Sequence, residues 1–206
     1  MSLKTVIELR TQNNSKPCLR EMNSDYRRID RRASGLLVID IQERLLPSIF
    51  EKERVVRNAV LLIRSMQILG RNILVTEQYP KGIGPTVPEV AAALHGFKPL
   101  EKVTFSAVEA DGFNRAFAKM GATNLVICGI EAHVCVAQTC LDLLERGLRV
   151  FVVSDAVSSR TPENWKLGLE RMRNAGAVIV STEMILFELL ERAGTPEFKQ
   201  LLLLLK

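Results

Sequence analysis

Cys135, Asp40 and Lys102 are the residues whose types and settings could do chemistry together. A thiol attacks a carbonyl carbon, a carboxylate takes its proton, and an ammonium stabilises the charges that form. Cys135 lies in GIEAHVCV, after the apolar run LVICG and at the start of an apparent helix over 134–146. A thiol in a helix's first turn feels the positive end of the dipole and the unpaired amides, which favour thiolate over its free pKa of about 8.5. The same amides can bind an oxyanion. By position alone, a structural cysteine fits as well as a catalytic one. Asp40 ends the run LLVID and reads as a general acid/base or as a cap for the next segment. Lys102, in PLEKVTFSA beside Val103 and Phe105, either joins the thiol and carboxylate or simply extends its ammonium to solvent.

The other reactive types carry less. Cys128 falls inside a strand run and Cys140 inside the helix, so both read as small core residues. His133 is two positions from Cys135 with no third group to orient it, which disfavours a Cys-His dyad. His95 is the only other histidine, and no ligand spacing for a metal is present. The echo of a nucleotide loop at Gly82-Ile83-Gly84 lacks its third glycine, and Arg31-Arg32-Ala33-Ser34 is too short to mark a kinase site.

Elements that can hold such residues follow from the hydropathy pattern. Apolar runs of strand length recur at Leu36–Ile39, Ile73–Val75, Leu125–Cys128, Val150–Val153 and Ala177–Val180, with helical stretches between them. They are nearly continuous in Val, Ile and Leu, as in parallel strands covered on both faces. Val55, Ala59, Leu62, Ile63, Met66 and Leu69 share helical spacing and predict an amphipathic crossover helix. Pro162 to Asn174 predicts another, with Thr161 as N-cap and Gly176 as its stop. The expected fold is α/β, three-layered, with helices on both faces of a parallel sheet. In such sheets the ligand crevice lies beyond the carboxyl ends of the strands, where Asp40 and Cys135 fall. Pro80 to Pro88, rich in Pro and Gly, reads as a shaped loop.

A chain of 206 residues with 47% hydrophobic and 25% charged residues fits one globular domain. No apolar run reaches the roughly 18 residues of a membrane span. Four cysteines without a secretory signal imply free thiols and a cytoplasmic protein. The net charge of +5 owes much to arginines in the first 32 residues, which read as a basic arm, a solvated extension or oligomer contact more than a nucleic-acid site.

Taken in order, LLVIDIQERL, ILVTEQYPKGIGPTVPE, LEKVTFSA, GIEAHVCVAQT and VFVVSDAVSSR resemble the isochorismatase-like cysteine hydrolases over roughly 35–190, most of all the isochorismatase domain-containing proteins. The resemblance implies a six-stranded parallel sheet in a Rossmann-like fold, an Asp40-Lys102-Cys135 triad and a cis peptide between Ile130 and Glu131. That peptide would turn amides near Glu131 and Cys135 toward the substrate oxygen. The implied domains are a basic N-terminal extension at 1–34 and the hydrolase domain at 35–206. Nicotinamidases of this superfamily carry an Asp-x-His metal motif where this chain has Glu77, Gln78 and Tyr79, so neither metal nor cofactor is expected. True isochorismatases lack the cysteine, and its retention here favours attack on a carbonyl carbon. The expected activity is hydrolysis of a small carboxamide or related C–N bond through a thioester. Tyr79 and Phe105 are candidate pocket walls, and Glu131 stands where many relatives have Thr. A binding or scaffold protein that keeps the fold, and vinyl-ether hydrolysis, are the alternatives. The expected partners are a small-molecule substrate and further copies of the chain, with no nucleic acid and no membrane.

Overall fold

The computed structural model describes residues 28–205, so Cys18 and most of the expected N-terminal extension lie outside it. In chain order the elements are β1 (Ser34–Ile39), α1 (Lys52–Ile68), β2 (Ile73–Gln78), α2 (Pro80–Ile83), α3 (Pro88–Ala93), β3 (Leu100–Lys102), α4 (Phe113–Met120), β4 (Asn124–Ile130), α5 (Cys135–Glu145), β5 (Arg149–Ser158), α6 (Pro162–Asn174), β6 (Val178–Val180), α7 (Thr182–Leu190) and α8 (Pro196–Leu204). The six strands form one sheet in the order β3-β2-β1-β4-β5-β6, and every pairing is parallel. The expected six-stranded Rossmann-like fold is the observed one.

Alternation along the central strands divides the core in two. Leu36, Val38, Val126 and Cys128 face one way, toward the buried stripe of α1 and toward Ile185, Leu186 and Leu189 of α7. Leu37, Ile39, Leu125 and Ile127 face the other way, toward Val136, Cys140 and Leu143 of α5 and Leu169 and Met172 of α6. All six apolar residues of the predicted crossover helix are buried, and all but the small Ala59 are each worth about 1.5–3 kcal/mol against exposure. The Thr161 hydroxyl accepts from the Asn164 amide at 3.2 Å, with Pro162 in the first turn, so α6 starts where its cap predicts. The chain just before β1 also joins the body: Ile29 is buried, and Arg31 pairs with Glu197 at 3.0 Å.

Strands β2, β3 and β5 differ from the sequence reading, and β2 continues past Val75 to Gln78. β3 pairs only three residues with β2 and is too short for a periodic pattern to reveal. β5 runs well past Val153, because its register against β4 shifts between Ile127 and Gly129. That irregularity accommodates the polar Ser154 and Asp155, whose carboxylate accepts from the Thr182 amide and hydroxyl at 2.8 Å each.

The strand order reverses between β1 and β4, the position at which open α/β sheets form their crevice. Two glycines let the chain close up there. Gly129 has φ of 125°, and a Cβ on it would collide with the carbonyl of Ile39. Gly168 lets α6 press on the segment after β4, where a Cβ would stand 2.8 Å from the Ala132 carbonyl carbon. The residues following β1 and β4 are thereby brought side by side.

Candidate active site

Asp40 leaves β1 with φ of 52°, in the left-handed region, and its side chain is fully buried. That turn aims the carboxylate across the strand ends. Oδ1 accepts from the Thr76 hydroxyl at 2.7 Å, and Oδ2 accepts from Lys102 Nζ at 2.7 Å. Both side chains of the Asp40–Lys102 pair have no exposure at all. Desolvating two charges offsets most of their attraction, so such a pair is poorly explained by stability alone. Lys102 Nζ also donates to Gln78 Oε1 at 2.5 Å and to the carbonyls of Thr104 at 3.3 Å and Phe105 at 3.1 Å. The chain after β3 curls back to offer those carbonyls, which leaves the Val103 side chain 76% exposed.

Cys135 opens α5 and is 5% exposed. Its thiol lies against the pair and donates to Gln78 Oε1 at 4.0 Å. Burial pushes the thiol up to about 12, the charge of Asp40 adds to the rise, and Lys102 offsets only part of it. The favour that a helix start lends to thiolate is thus met by an opposing environment in this resting site. Desolvation first, and then the neighbouring carboxylate, disfavour the charged sulfur. Cys128 and Cys140 are also buried, and burial raises both.

The peptide between Ile130 and Glu131 is cis. Beyond it the Val134 and Val136 amides donate to the Glu131 carbonyl and the Ala132 amide donates to Ser158, leaving the Glu131 and Cys135 amides without backbone partners among the described residues. These are the two donors that the family resemblance implies for an oxyanion. Ile130 is fully buried. The Glu131 carboxylate turns to Arg160, accepting from Nε at 3.0 Å and from the backbone amide at 3.2 Å. Its charge is thus tied to a guanidinium at the rim. His133 Nδ1 meets Ser159 Oγ at 2.9 Å and takes no part with Cys135.

A cleft of about 340 Å³ adjoins this centre through Lys102, with Tyr79, Lys81, Glu101, Glu109 and Asp111 among its walls. Tyr79 lines this cleft. Phe105 stands exposed and contributes its carbonyl to Lys102 instead of a wall. Asp40, Gln78, Glu131 and Cys135 do not line the cleft. His95 is exposed, and among the described residues no three His, Cys, Asp or Glu side chains gather as a metal site. Glu77 is spent on the neighbouring loop, accepting from the Thr86 amide and hydroxyl at 2.7 Å each.

Sequence reasoning missed Gln78 and Gln42. Gln42 Oε1 accepts from the Gln78 amide at 2.7 Å, and its Nε2 donates to the Gln78 carbonyl at 3.0 Å. The strand-end rule that selected Asp40 would have found Gln78, the last residue of β2, had β2 been read to its end.

Comparisons with known proteins agree with this layout. The isochorismatase domain model matches residues 34–184. Isochorismatase domain-containing protein 2 of Danio rerio is 42% identical, covering 84% of this chain and 87% of that protein. The structure described as MAR1 ribonuclease from Caenorhabditis elegans superposes with a TM-score of 0.80 at 38% identity, covering 86% of this chain and 92% of the other. YcaC from Pseudomonas aeruginosa, solved with hexane-2,5-diol and covalent acrylamide, gives 0.80 at 27% identity over 86% and 91%. With the sheet order and these matches in agreement, the chain belongs to the isochorismatase-like hydrolase family.

Proposed function

We propose that this chain is a cysteine-dependent hydrolase that cleaves a small carboxamide or related C–N bond through a thioester on Cys135. The observation that carries this reading is the fully buried Asp40–Lys102 pair set against the Cys135 thiol. Asp40 takes the thiol proton as sulfur attacks the carbonyl carbon, and the Glu131 and Cys135 amides receive the developing oxyanion. Asp40 then gives that proton to the leaving nitrogen as the C–N bond breaks. In the second half Asp40 takes a proton from water as its oxygen attacks the thioester, and returns it to the departing sulfur. Lys102 stays hydrogen-bonded beside the carboxylate and balances the charges that form as the proton moves.

A thiol pushed up to about 12 is neutral at rest, so attack must be coupled to proton transfer rather than start from a standing thiolate. The cleft is at the small end of ligand pockets, which suits a compact substrate. Acrylamide, bound covalently by the Pseudomonas YcaC, is an electrophile that thiols attack. The rim bears Glu101, Glu109 and Asp111 against Lys81, an unfavourable approach for a polyanion such as RNA. No described helix is long and apolar enough to cross a membrane.

The test is an amide panel run on wild type and Cys135→Ala, with rapid quenching and mass spectrometry. The acyl mass is expected on the peptide containing Cys135, with neither adduct nor turnover in the variant. Substantial turnover by Cys135→Ala means that water attacks directly, and vinyl-ether chemistry becomes the better reading. A second reading, a binding protein that keeps the fold, draws on the neutral resting thiol. It predicts tight binding of a small ligand with no turnover of any amide.

A further inference from the structure

We infer that Gln78 is a positioning residue that stores the Cys135 nucleophile as a neutral thiol and steers the Lys102 ammonium away from its sulfur. The inference rests on Cys135 being the nucleophile, as proposed above.

One oxygen does both jobs. Gln78 Oε1 accepts from Lys102 Nζ at 2.5 Å and is the acceptor of the Cys135 thiol at 4.0 Å. Its orientation is set by its own amide nitrogen, which donates to the Val103 carbonyl at 2.9 Å. Flipping the amide would set a nitrogen against the Lys102 ammonium and an oxygen against that carbonyl, so the network assigns the oxygen inward. Gln42 clamps the Gln78 backbone from both sides, which holds the side chain at this depth.

The consequences follow from proton counting. An ammonium has three protons, and Lys102 Nζ already faces four acceptors: Asp40, Gln78 and the carbonyls of Thr104 and Phe105. Gln78 thus competes with sulfur for the ammonium, whose remaining hold on the thiol offsets only part of what burial and Asp40 add. An acceptor facing S–H stabilises the thiol and opposes the thiolate. A primary amide is far too weak a base to take the proton itself, so Gln78 holds it in place until Asp40 does. The other charged or titratable groups around the thiol are engaged elsewhere: Glu131 with Arg160, His133 with Ser159, Glu77 with Thr86.

The test uses two variants of opposite sign and acrylamide as the probe, following adduct mass on the Cys135 peptide from pH 7 to 10. Gln78→Met is close in length and removes both the thiol's acceptor and the competitor for the Lys102 ammonium. Its profile should move to lower pH, with alkylation about tenfold faster at a given pH. Gln78→Glu is isosteric and adds a negative charge beside the sulfur, so its profile should move up, with alkylation slower by about tenfold or more. A merely structural role would leave both profiles with wild type or slow both alike, and either result overturns the inference. If Gln78→Met does not fold, the Gln78→Glu profile decides, and no upward shift there sinks the idea. Opposite shifts without any acyl adduct from the amide panel would instead uphold Gln78 and reject the hydrolytic reading.

Discussion

Replacing Asp40 with Asn should make Cys135 more reactive toward an alkylating agent while making the enzyme slower, and this opposition of signs separates the two roles of the carboxylate. With the thiol at about 12, only about one molecule in ten thousand is thiolate at pH 8. The rise has burial as its first cause and the Asp40 charge as its second. A unit charge about 4 Å away at an effective dielectric of about 20 is worth about 4 kcal/mol, or about three pKa units. Substitution by Asn removes that charge and leaves Lys102 uncompensated beside the sulfur. Iodoacetamide should therefore react with Cys135 at least about tenfold faster at pH 8. The amide can fit: its oxygen faces Lys102, and the Thr76 hydroxyl turns to accept from its nitrogen. Removing one partner of a buried pair costs up to about 3–5 kcal/mol, so thermal unfolding is measured beside the kinetics. Turnover should fall about 10²–10⁴-fold, because the amide cannot take the thiol proton. Alkylation that slows together with turnover in a folded Asp40→Asn enzyme would refute the electrostatic account, for it would mean that Asp40 favours the thiolate.

Three further outcomes are expected. Gly129→Ala should be destabilised by several kcal/mol or fail to fold, because its Cβ falls on the Ile39 carbonyl at a φ of 125°, whereas Gly147→Ala meets nothing within 4 Å and should lose only about 1 kcal/mol to its positive φ; thermal melts of both distinguish packing from backbone strain. Arg160→Gln should fold normally but hydrolyse more slowly, since the Glu131 carboxylate then stands uncompensated beside the forming oxyanion, and adding Glu131→Gln should restore the rate; an unchanged rate in the single variant places the pair outside the reaction. Incubation with a chelator should leave turnover unchanged, because neither His95 nor His133 stands with partner ligands, and activity lost to the chelator and restored by zinc would reverse that conclusion.

Much of the architecture was legible because parallel strands buried on both faces write themselves as continuous apolar runs. Leu36–Ile39, Leu125–Cys128 and the α1 stripe need only period and length to be recognised. The strand-end rule selected Asp40 and Cys135 for the same reason: a polar or reactive residue directly after such a run falls at the edge of the sheet. β3 was less legible, since three residues against one neighbour carry little pattern, and with it the true setting of Lys102 stayed open between a site and a solvated side chain.

What the sequence determined by itself is therefore the order of layers and the edge on which chemistry can occur. The tertiary structure decided the ionisation state and partners of the groups placed there. The helix-start position of Cys135 argued for thiolate, yet its burial and the carboxylate of Asp40, 95 residues earlier in the chain, hold it as thiol. Gln78 acquires meaning only because β1, β2 and β3 lie side by side and set one amide oxygen between an ammonium and a thiol. Periodicity is a local property that one strand or helix expresses alone. Electrostatics at a buried site sums over groups that only the fold makes neighbours, and no window of the sequence contains that sum.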